Sequence, residues 1–156
     1  MLFNREITEW EHIVNETYDI EFDYVAIDKI GQLAIFSTFN RAFKPKMVTN
    51  SFEVFLELDK LIETLPKLTE AILKTESEGD YGDWKKYAEL GFYSYDNSDI
   101  HRTNKLEQYD IIYEPKMPLK MEDQAELKKF ENIIPRFELV FGENLKFSEL
   151  KETLKS

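Results

Sequence analysis

Apolar positions along the chain change period several times, and each change marks an element. Ile7, Trp10, Val14 and Tyr18 recur every three or four residues, which predicts a helix from about Thr8 to Tyr18. Thr8 and Glu11 have the spacing of a capping box at its start. Phe22–Asp28 and Gln32–Thr38 are instead short, β-branched and aromatic, with Lys29, Ile30 and Gly31 between them, the signature of a hairpin. Alternation sends Val25 and Ile27 to one side and Tyr24 and Ala26 to the other. Both sides are apolar, so at least one strand of the pair belongs inside a sheet.

Residues 41–49, with Pro45, read as an irregular connection. Helical spacing returns after Ser51, a suitable N-cap, with Phe52, Phe55, Leu58, Leu61, Ile62 and Leu65 forming an apolar face. Pro66 suits the first turn of a further helix running to about Lys74. Asp83 is placed to cap a short helix through Trp84, Tyr87 and Leu90 that Gly91 ends. Strands are predicted at Phe92–Tyr95 and Tyr109–Tyr113, then helix near residues 122–131, a last strand at Phe137–Phe141 and an amphipathic helix from Leu145 to Leu154. Hairpins and helices are interspersed without regular βαβ alternation. The expected architecture is therefore α+β: one domain over residues 1–156, with helices packed on a mixed or antiparallel sheet.

Composition narrows the chemistry. The 156 residues include no cysteine, which removes disulfides, thiolate metal ligands, a cysteine nucleophile and thiol redox switching together. A reducing cytoplasm suits such a chain. The N-terminus lacks a basic stretch followed by an apolar run, and no window approaches a membrane span, so neither secretion by that route nor insertion is expected. The two histidines, His12 and His101, lie far apart without zinc-site spacing, and phosphate-cradling glycine loops and the GxSxG elbow are missing. No cofactor is expected.

The formal charge is −11, which disfavours direct contact with nucleic acid phosphates. Its distribution is uneven. Eight acidic residues and no Lys or Arg lie between Glu6 and Asp28, whereas residues 116–129 hold four lysines and three acids. In an extended strand Asp19, Glu21 and Asp23 share a side, a row able to hold a hard divalent ion or to divide acid and base roles. An acidic edge strand that guards against aggregation has the same pattern. The Asp96–Asp99 stretch lacks the glycine and terminal glutamate of a calcium loop.

Carboxylates also mix with aromatic residues, in Asp80, Tyr81, Asp83 and Trp84 and again in Tyr93, Tyr95, Asp96 and Asp99. Rings supply buried area and charges steer encounter, so these eight residues are the candidate contact set for a basic protein partner. Part of the set is equally suited to the core. The acidic stretch from Glu6 to Asp28 is the rival location.

Three stretches, the Trp10 helix, residues 24–38, and Gly91–Asp96 followed by Tyr109–Pro118, resemble small acidic bacterial proteins encoded beside polymorphic toxins and taken to be their immunity proteins. The resemblance implies a non-catalytic cytoplasmic inhibitor that binds a cognate toxin domain, often a nuclease. A carboxylate-based metal-dependent hydrolase and an acidic DNA-mimic inhibitor share most of these features. Oligomeric state is left open by the sequence.

Val25, Ile27, Leu33, Ile35, Phe55, Leu58 and Ile62 are the predicted core. Phe55→Ala or Leu58→Ala should each cost about 2–5 kcal/mol in denaturant unfolding if that helix face is placed correctly.

Overall fold

The hairpin forms as predicted. In a computed structural model, which describes all residues except 1, 5, 18, 41, 77, 78, 80, 98–102 and 156, β1 (Glu21–Ile27) pairs antiparallel with β2 (Leu33–Phe39). Tyr24 stands opposite Phe36, and Val25 opposite Ile35. The turn is closed by Asp28 N donating to Gln32 O and Gly31 N to Asp28 O, with Gly31 at φ +89°, where a residue with a Cβ is strained.

Beyond the hairpin, β4 (Tyr93–Asp96) runs parallel to β2 and antiparallel to β5 (Gln108–Pro115). The short β3 (Ala71–Leu73) pairs with the far side of β5, and β6 (Leu145–Lys146) adds to the start of β5. The order is β1-β2-β4-β5-β3, a mixed sheet in an α+β fold. Five α-helices are described: α1 (Ile7–Asn15), α2 (Phe52–Thr64), α3 (Gly82–Glu89), α4 (Ala125–Lys128) and α5 (Phe147–Thr153).

One side of the sheet is a row of rings. Tyr24 stacks on Phe36 at 5.3 Å, Phe36 stacks on Tyr95 at 4.7 Å, and Tyr109 meets Phe36 edge-on at 4.8 Å. Phe137, Phe141 and Phe147 from the C-terminal segment cover that row. All seven predicted core residues are buried in the same cluster.

β1 ends the strand order, yet its outer edge is covered. Asp23 N donates to Leu2 O, Ile27 N to Pro135 O, and Phe137 N to Ile27 O. Leu2 is fixed in turn by the buried Asp59 of α2, whose carboxylate accepts from Leu2 N at 2.7 Å. Phe3 packs edge-on against Trp10 and Phe52.

Four local expectations are corrected. The α1 helix begins after Glu6 without a side-chain cap, so Thr8 is internal; it buries Trp10 and Ile13, while Ile7 and Val14 are 54% and 52% exposed. On a 100° wheel Ile7 and Val14 lie on one flank of Trp10 and Ile13 on the other, and packing chose the second flank. The segment after Pro66 is not helical: Leu68 N and Thr69 N donate to Glu89 O, and residues 71–73 join β5 as a strand. Asp83 lies inside the first turn of α3, whose N-cap is Tyr81. Residues 137–141 form no strand; Phe137 makes one isolated bridge to Leu154, and its ring is in the core.

Other signals hold. Ser51 caps α2 by accepting from Val54 N. Gly91 ends α3 at φ +103°, and a Cβ there would lie 2.6 Å from that of Leu119.

Asp28, fully buried, accepts four N–H bonds: Ile30 N and Gln32 N on Oδ1, Gln32 Nε2 and Phe141 N on Oδ2. Asp28→Ala should therefore destabilise the chain by about 3 kcal/mol or more in urea unfolding. Asp28→Asn should rescue little, because its NH2 would face two donors in either orientation.

A candidate acidic cleft

Strand register builds the floor of a cleft on the side of the sheet opposite the rings. Asp23 stands beside Ser37, Ser37 beside Asp96, and Asp96 beside Asp110, a polar row crossing four strands. Helix α3 contributes the wall. Its start is tied to β4 by Ser94 Oγ donating to Trp84 O at 2.7 Å, and its next turn by Tyr87, whose hydroxyl donates to Asp23 Oδ2. The result is a cavity of about 310 Å³ lined by Glu21, Asp23, Asp83, Trp84 and Asp96 with their neighbours on β2. A second hollow of about 490 Å³ shares Glu21, Asp23 and Asp83 and adds Glu6 and Glu9. No described lining residue of either is basic.

The electrostatics follow from crowding. Asp23 is partly exposed, yet its surroundings dehydrate its carboxyl and raise it from 3.8 to about 7. Hydrogen bonds from Tyr87 and Ser37 oppose that shift, and the nearby Asp83 and Asp96 add to it. The Tyr87 hydroxyl is pushed far above its ordinary range by burial, then by the Asp23 charge. Trp84 Nε1 is buried in the wall with no acceptor among the described residues, while the Trp84 ring meets Tyr81 edge-on at 5.7 Å.

The cleft joins both surfaces that sequence reading held apart. Glu21 and Asp23 come from the N-terminal acidic stretch, and Asp83, Trp84 and Asp96 from the two carboxylate-aromatic segments. Asp83 is exposed at the rim, Tyr81 half-buried and Asp96 partly exposed. Tyr93 and Tyr95 do not belong to this surface. They are buried, and alternation turns them to the ring side, where the Tyr93 hydroxyl donates to Gln32 Oε1 and that of Tyr95 to Glu143 O. Asp80, Asp99 and His101 lie outside the described residues.

Sequence reading missed Ser37 and Tyr87 as partners of Asp23, since register and helix docking are long-range choices. It also counted Asp28 in the acidic stretch that begins at Glu6, whereas Asp28 is sealed at the other end of β1. Among the described residues, no group of three or more His, Asp or Glu is arranged to hold a metal ion. No described helix is long and apolar enough to cross a membrane.

No family model, curated protein or solved structure matches the chain.

A carboxyl held above its unfolded value keeps its proton longer when folded. Its contribution to stability is complete below pH 3.8 and is lost as pH rises to about 7. Asp23→Asn keeps an acceptor for Tyr87 and removes the charge. Its melting temperature relative to wild type should therefore climb across that window and level off above it; a pH-independent difference would show that Asp23 ionises normally.

Proposed function

We propose that the chain is an immunity-type inhibitor that binds a basic toxin protein through the acidic cleft, in the cytoplasm of the producing bacterium. The observation that carries this reading is the convergence of Glu21, Asp23, Asp83 and Asp96 with Trp84 around one cavity. Three separate chain segments supply a negative, partly dehydrated recess, and the adjoining hollow extends it with Glu6 and Glu9. Such a recess accepts the tip of a lysine or arginine. The partner's charge offsets carboxylates already crowded together, and the Trp84 wall contributes apolar area. The same charges repel nucleic acid backbones.

A standard interface covers about 800 Å² on each partner, near a tenth of the 8638 Å² surface here, so the cleft and its rim suffice. A second reading, a carboxylate hydrolase, is favoured by the raised Asp23 beside Asp83 and Asp96, an arrangement in which one carboxyl stays protonated near neutral pH. The two readings separate on Asp23→Asn: hydrolysis would stop, whereas protein binding would persist.

The test uses the product of a neighbouring toxin-like gene. Asp83→Lys with Asp96→Lys should weaken its binding at least tenfold, about 1.4 kcal/mol. Glu53→Lys with Glu57→Lys, on the solvent side of α2, should change it little. Raising salt from about 0.05 to 0.5 M should slow association more than dissociation. If the α2 pair weakens binding as much as the cleft pair, the cleft is not the interface.

A further inference from the structure

At the end of the strand order opposite β1, the sheet stops at an edge that the described residues leave uncovered. β3 spends its inward groups on β5: Lys74 N donates to Ile112 O, Lys116 N donates to Glu70 O, and Ile72 stands opposite Glu114 between them. That parity sends the N–H and C=O of Ala71 and Leu73 outward. Non-hydrogen-bonded register also explains why Ala71 sits opposite Pro115, which has no N–H to give. Ile72 and Leu73 are 42% and 53% exposed, and Leu68 and Met117 beside them are exposed too.

We propose that this edge pairs antiparallel with the β3 edge of a second copy of the chain, with Ile72 on the two-fold axis, joining two sheets into one. The sequence Glu70-Ala71-Ile72-Leu73-Lys74 is self-complementary in that register. Symmetry about residue 72 sets Ala71 against Leu73 of the other copy twice, two hydrogen bonds each time and four in all. The same symmetry sets Glu70 against Lys74 of the other copy, also twice, so opposite charges meet in cross-strand pairs.

Neighbouring registers are worse. Centring on Ala71 requires the N–H of Thr69, which is already given to Glu89 O. Centring on Leu73 brings Glu70 against Glu76. An edge that merely guards against pairing would bring like charges together, and this one does not. Within one copy Glu70 pairs with Lys67 in an exposed contact, and Lys74 lies 3.8 Å from the partly exposed Glu114, a loose contact that leaves Lys74 able to take a further partner. Lys67, Lys74 and Lys116 stand among Glu70, Glu89 and Glu114 at this corner, so the charges there are mixed although the chain as a whole carries −11.

Charge exchange tests the register directly. In sedimentation equilibrium up to about 0.5 mM the wild-type chain should show a reversible dimer. Glu70→Lys alone sets Lys against Lys, and Lys74→Glu alone sets Glu against Glu, so each variant should raise the dimer Kd about tenfold or more. An equimolar mixture of the two variants should restore wild-type affinity as a heterodimer, and the double variant should restore it as a homodimer. Amide exchange should slow at Ala71 and Leu73 with rising concentration and stay unchanged at Ile72, whose N–H faces β5. Circular dichroism melts verify that each variant folds. A wild-type chain monomeric throughout, or a dimer that ignores both single replacements, or a mixture that fails to recover, overturns the proposal.

Discussion

A buried carboxylate at the end of the first hairpin strand holds the two halves of the chain together. Asp28 belongs to the turn, and two of its four donors, Ile30 N and Gln32 N, are local. Phe141 N is not: it comes from more than a hundred residues further on. Each of the four groups is a donor, so the buried carboxyl oxygens are satisfied by hydrogen bonds rather than by a cation. The bond to Phe141 fixes the C-terminal segment against the ring side of the sheet, where Phe137 and Phe141 pack on Phe36. Gln32 extends the network, donating to Asp28 and accepting from Tyr93.

The sheet separates two kinds of work by alternation. Its ring side carries Tyr24, Phe36, Tyr95 and Tyr109, and the tyrosine hydroxyls are satisfied inside: that of Tyr109 lies 2.7 Å from both Phe43 O and the Thr38 hydroxyl, and that of Tyr95 donates to Glu143 O. Burial raises these phenols well above their ordinary range, so they stay neutral donors. The opposite side carries apolar residues near the hairpin turn and carboxylates toward the other end of the strands. That gradient places Val25 and Ile35 in the core and Asp23 and Asp96 in the cleft on the same strands. The packed aromatic side thus backs the strands whose opposite side carries the crowded carboxylates.

The two ends of the strand order are treated differently. At β1, Leu2 and residues 135–137 take up outward backbone groups, and the covering segments are themselves anchored, Leu2 through Asp59. At β3 the sheet ends with three residues between lysines and glutamates. Edge protection is a general requirement of open sheets, and a covered β1 leaves β3 as the place where pairing has physical scope.

Period and composition determined much of this protein. The hairpin at residues 22–38, the Ser51-capped α2, the Gly91 stop and the seven core residues were all legible because each depends on neighbours within a few positions. The acidic, cysteine-free character was legible from composition alone. Tertiary structure decided what local pattern leaves degenerate. It chose Ile13 over Ile7 and Val14 as the flank of α1 that docks, since both flanks are apolar and only tertiary packing distinguishes them. It made residues 71–73 a strand because β5 offered hydrogen-bonding partners that outweighed the helical hint of Pro66. It assigned Tyr93 and Tyr95 to the core and Asp96 to the cleft, a matter of which side of the sheet each strand presents. It alone brought Asp23, Asp83 and Asp96 around one cavity, because strand register and helix docking are set by contacts between residues far apart in the chain, Ser37 with Asp96 and Tyr87 with Asp23 among them.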